Sequence, residues 1–166
     1  MNQRTKSTLM WVLFSALFLF TVLAQTLVFG RVRFFGVKLN LLPVVIVCVC
    51  LWVRHEAGGL FGLATGLFWF LMGADDGSLS IVTFTACGIL ASWLCGNLFP
   101  RRFGSALILC LGALLLHEGL LFLLKYYLEE AAWSLALWVP VTAGLSVLSC
   151  PVIYLLAKAI GKAGGN

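Results

Sequence analysis

The chain has 166 residues, of which 62% are hydrophobic and only 10% charged, with a net charge of +5 and a mean hydropathy of +1.08. Too few polar side chains are present to cover a water-soluble domain of this size, so lipid is the expected solvent. The length suits one integral membrane domain over 1–166, with no room for a separate soluble one. The apolar runs are continuous rather than alternating, which excludes a β-barrel and predicts an all-α, polytopic bundle. The basic excess sits in short clusters between those runs, fitting topology signals and anionic lipid headgroups and not nucleic acid.

Six transmembrane helices are predicted in chain order, at 8–29, 39–53, 57–73, 78–99, 104–124 and 132–157. The first follows a short polar start with Arg4 and Lys6. Its apolar run is longer than a signal-peptide core and lacks a small-x-small cleavage site, so it reads as a retained helix. A basic connection with Arg31, Arg33 and Lys38 leads to Asn40 and Pro43, and proline is well tolerated in a first helical turn. The second and third spans are shorter than the roughly 20 residues a crossing needs, and read as an inner pair shielded from lipid by longer neighbours. Arg54, His55 and Glu56 separate them, with Glu56 placed to favour the N-terminal dipole of the third. Pro140 and Pro151 predict a bend in the last span.

Lysines and arginines counted on alternate sides place both termini in the cytoplasm, with Arg4, Lys6, Arg54, Arg101, Arg102, Lys158 and Lys162 inside. Arg31, Arg33, Lys38 and Lys125 fall outside. The first external loop goes against the positive-inside rule, which marks its three basic residues as a candidate contact for a partner or for headgroups. Asp75 and Asp76 also fall outside and read as solvated.

Helix-packing candidates are two small-residue ladders at four-residue spacing: Gly58, Gly62 and Gly66 in the third span, and Gly88, Ser92 and Gly96 in the fourth. Glycine costs a helix about 1 kcal/mol relative to alanine, and in lipid the compensation is close backbone approach of another helix. The ladders serve either internal packing, for which they could face each other directly, or packing combined with docking of a partner's helix. His117 and Glu118 are the ionisable residues inside a span, where a carboxylate must find a polar partner, face the interface or take up a proton. Adjacent in sequence, they do not share a helix face.

The six cysteines all lie in apolar runs without zinc-type spacing, and read as small buried hydrophobes, with Cys48 and Cys50 pointing in different directions. The tryptophans, Trp52 among them, read as interfacial anchors. His55 and Glu56 lack the second histidine of a zinc hydrolase, and no nucleophile has a base in register. No catalysis, cofactor or metal is expected.

The run KLNLLPVVIV followed by EAGGLFGLATGLFWFLMGADDG, then a small-residue-rich span and a six-helix total, resembles the rod shape-determining protein MreD family. Within the family's pattern of glycines, Gly-Leu-x-x-Asp and a later glycine, Gly62, Gly66, Leu67 and Gly77 match, whereas Phe70 stands at the acid. A role for that membrane-embedded aspartate therefore does not carry over. The resemblance implies a non-catalytic bacterial inner-membrane subunit of the cell-elongation machinery. Its partners would be an MreC-like bitopic protein, an MreB-like filament and a SEDS glycosyltransferase/transpeptidase pair. The family is similar in fold to the substrate-binding S component of energy-coupling-factor vitamin transporters, which supplies the alternative function.

Overall fold

A computed structural model describes residues 3–29, 37–73, 78–128 and 136–163, and its elements are helices. They are α1 (Gln3–Ala24), which continues as a π-helical stretch over Gln25–Phe29, α2 (Leu42–Cys50), α3 (His55–Leu71), α4 (Leu79–Asn97), α5 (Phe103–Leu128), α6 (Trp138–Val147) and α7 (Cys150–Ala163).

The bundle is built around α2. Its sequence, LPVVIVCVC, is rich in β-branched residues that favour strands in water. Without water or a neighbouring strand, the backbone satisfies its own N–H and C=O groups only as a helix. Leu42 and Val44 through Cys50 are each no more than 1% exposed, because α1, α3, α4, α5 and α7 all pack against α2. A helix apolar all round is what a fully enclosed position requires. Nine residues span about 14 Å, half of a hydrocarbon layer of about 30 Å. Enclosure by longer helices is thus the way α2 escapes the mismatch.

The expected inner pair is therefore half right. α2 is shielded on every side, but α3 exposes Leu60 (68%) and Leu71 (79%) while burying Gly58, Gly62, Thr65 and Gly66. The reason is composition: α3 has one small-residue stripe with bulky apolar residues around the rest, so it can pack tightly on one side alone. At its end Gly73 takes a φ of +75°, the left-handed position that glycine supplies after a helix, and its N–H donates to the Phe70 carbonyl at 3.0 Å.

Among the described residues, three helical stretches are long and apolar enough to cross a membrane: Thr5–Phe29, Leu79–Asn97 and Phe103–Tyr127. A fourth crossing is available from α6 and α7 together, which are bent by 45° relative to each other. The break falls at Leu148 and Ser149, immediately before Cys150 and Pro151, so the bend belongs to Pro151. Pro140 sits in the first turn of α6, where it interrupts nothing. Phe20, Val82, Ile108 and Leu148 are all more than half exposed. Such outward apolar surface on every long helix is consistent with a multi-pass membrane protein.

Candidate functional site

The two ladders meet. α3 and α4 run antiparallel, with Gly58 opposite Ser92 and Gly88, Gly62 opposite Phe84, Thr85 and Gly88, and Gly66 opposite Ser80 and Ile81. A Cβ added to Gly66 would lie 2.6 Å from the Ile81 Cα, and one added to Gly58 would lie 2.7 Å from Ser92 Oγ. Added carbons on Gly62 and Gly88 would collide with the carbonyls of Phe84 and Gly58 respectively. The obstacles are largely backbone, so these positions have no room for a side chain. Gly59, which no ladder included, is similarly close to the Ile89 side chain. Gly96 departs from the expectation: it is exposed, with nothing within 4 Å of an added Cβ. In this antiparallel register Gly96 lies beyond the start of α3, so spacing alone overextended the second ladder.

A polar node holds the entry to α2. Gln25 Nε2 donates to the Leu39 carbonyl at 2.7 Å, and the Leu41 N–H donates to Gln25 Oε1 at 3.0 Å. The Asn40 N–H donates to Ser146 Oγ at 2.9 Å, and Asn40 Nδ2 donates to Glu118 Oε1 at 3.1 Å. Leading N–H groups of a helix have no partner within it, and Leu41 offers no side-chain cap. The Leu42 N–H has a local acceptor, Asn40 Oδ1 at 3.4 Å, and the rest of the cap is tertiary, supplied from the π-helical end of α1, with α5 and α6 holding Asn40. Glu118 thus has the polar partner its place in a span demands. His117, on the neighbouring face of α5, is fully buried. Its Nδ1 lies 2.9 Å from Thr83 Oγ1 of α4, and its ring packs against Phe84 with centroids 4.8 Å apart.

At the other end of the bundle Trp52 fills the turn between α2 and α3. It is only 6% exposed, so it is a packing residue and not an interfacial anchor. α7 approaches through Gly161, where an added Cβ would lie 2.7 Å from the indole. The Arg101 guanidinium sits 6.0 Å from the ring centroid, within the range of a cation–π contact. Arg54, Arg102 and Lys162 are exposed nearby in sequence.

The cysteines hold the largest departure from the sequence reading. Cys48 of α2, Cys110 of α5 and Cys150 of α7 are buried with their three Sγ atoms within 4.8 Å of one another. Cys150 Sγ lies 3.7 Å from Cys110 Sγ. Cys50 turns away, as expected from its spacing, toward the Gly58 carbonyl at 3.7 Å. No sequence spacing signals the trio, since its members come from three helices far apart in the chain. Only the folded bundle brings them to one level.

Of the remaining candidates, Lys38 is exposed, whereas Arg31, Arg33, Asp75, Asp76 and Gly77 lie outside the described residues. A groove of about 250 Å³ between α4 and α5 is lined by apolar side chains including Leu90, Leu94, Phe99 and Ile108. Its chemistry suits an acyl chain and not a polar ligand. No family model, curated protein or solved structure matches this chain.

Proposed function

We propose that the chain is a non-catalytic membrane subunit of the rod-shape machinery, a six-pass protein with both termini in the cytoplasm. In this reading it links an MreC-like bitopic protein, and through it an MreB-like filament, to a SEDS glycosyltransferase/transpeptidase pair. The identity of the machinery rests on the resemblance carried by residues 43–77. The observation that carries the scaffold reading is the way interior polar side chains are consumed by one another and by the backbone. Gln25 bonds the Leu39 carbonyl and the Leu41 N–H at the α2 entry, Asn40 bonds Glu118 and Ser146, and Thr83 bonds His117. This wiring favours a rigid platform. Gly58, Gly62, Gly66 and Gly88 are occupied by the α3–α4 contact, so partner docking falls to outward faces such as that of Leu60, Leu67, Phe70 and Leu71, and to the basic residues Arg31, Arg33 and Lys38.

In a rod-shaped host, deletion is expected to round the cells, and the tagged chain is expected to co-purify with the MreC-like protein. Reporter fusions near residues 35, 75 and 130 are expected outside the cytoplasm. Normal cell shape on deletion, together with no co-purifying elongation protein, would sink the reading. One observation favours a second reading, the S component of a micronutrient transporter: Gln25, Asn40 and Glu118 gather at a single level of the bundle, around the entry to α2. A vitamin-like ligand retained through detergent purification would decide for it.

A further inference from the structure

Among the described residues, Cys48, Cys110 and Cys150 are a group of side chains close enough together to hold a metal ion. Their three sulfurs, from α2, α5 and α7, face one another in a hydrophobic core that includes Tyr154. An ion held at the centre of three sulfurs by bonds of about 2.3 Å needs them about 4 Å apart. The separations present are 3.7 Å for Cys110 and Cys150 and no more than 4.8 Å for the others, so closure requires side-chain shifts of less than about 1 Å. Sulfur-only sites select soft ions, namely Cu(I), Zn(II) and iron–sulfur clusters. An iron–sulfur cluster needs more volume and a fourth thiolate. Structural zinc takes four ligands in a tetrahedron, and the trio supplies three. Cu(I) is the remaining candidate, and each sulfur that ligates it does so as thiolate, releasing its proton to water on loading. Cys150 is also the first residue of α7, the end of a helix where negative charge is best accommodated.

We propose that Cys48, Cys110 and Cys150 form a buried trigonal site for a soft monovalent cation, Cu(I). The ion would pin α2, α5 and α7 together at one level of the bundle. Cys110 lies seven residues beyond Phe103, the first residue of α5, about 10 Å along the helix. The site does not depend on the rod-shape reading, and either function is compatible with it.

The test uses the full chain in detergent, reduced and anaerobic, loaded with Cu(I) and in parallel with Zn(II), then desalted and analysed for metal. About one equivalent of copper per chain is expected to be retained, with a sulfur-to-copper absorption band in the near ultraviolet and an upward shift in melting temperature. Cys110→Ala and Cys48→Ser are expected to weaken retention about tenfold or more, whereas Cys87→Ala and Cys95→Ala are expected to retain copper normally. Failure of the unsubstituted chain to retain copper would overturn the proposal. So would preferential retention of zinc, or equal copper retention in Cys110→Ala. Should a trio variant fail to fold, the loading, absorption and melting measurements on the unsubstituted chain decide.

Discussion

Gly62 faces the backbone carbonyl of Phe84 so closely that any Cβ at position 62 would overlap it. The contact lies midway along the α3–α4 pair, with Gly58 and Gly66 one turn to either side, so it sets the distance between the two helices. Lipid provides no hydrophobic drive for helices to associate, and contact between backbones has to supply the attraction.

Gly62→Leu is accordingly expected to part α3 from α4. Overpacking a core costs about 1–3 kcal/mol, and the upper end applies where the obstacle is backbone. The expected readout is a lower melting temperature in detergent and loss of assembly with partners. Gly96→Leu, at a position with open space, is the matched control and is expected to change stability by no more than about 0.5 kcal/mol. Equal effects of the two would contradict the register.

Gln25→Leu removes the acceptor for the Leu41 N–H and the donor to the Leu39 carbonyl and puts an apolar side chain of similar size in their place. A buried N–H left without an acceptor costs about 1–3 kcal/mol. Thermal unfolding should show that loss, and hydrogen exchange should locate it at the start of α2. Unchanged protection at Leu41 would show that the cap comes from elsewhere.

Thr83 and His117 tie α4 to α5 through their 2.9 Å contact. In a double-mutant cycle with Thr83→Val and His117→Leu, the two substitutions are expected to couple by about 0.5–3 kcal/mol. Additive effects would mean that each side chain is held by other contacts and that the pair carries no stability.

Thiol accessibility checks the packing as a whole. Cys95 is half-buried, and the other five cysteines are buried. A small maleimide is expected to modify Cys95 in the folded protein in detergent and all six cysteines only after denaturation. Fast native labelling of Cys48 or Cys110 would be incompatible with the enclosed position of α2.

Lipid solvation, helical class and the approximate place of each helix follow from the sequence by itself. Long uninterrupted apolar runs have few ways to satisfy their backbone in hydrocarbon, and the basic clusters and prolines mark where the runs end. The four-residue glycine spacing also implied a close helix contact, because no other benefit offsets the helix cost of Gly58, Gly62 and Gly66. Tertiary structure alone decided what those glycines touch and why Gly96 touches nothing: register depends on where α3 starts relative to α4. It decided that α2, and not α3, is the enclosed centre, since enclosure depends on how many neighbours surround a helix and not on its own apolarity. It decided too that Gln25 caps α2, that Glu118 and Ser146 hold Asn40, that Trp52 is packed against Gly161, and that Cys48, Cys110 and Cys150 converge. Each of these joins residues distant in the chain, and local spacing carries no information about which helix faces will meet.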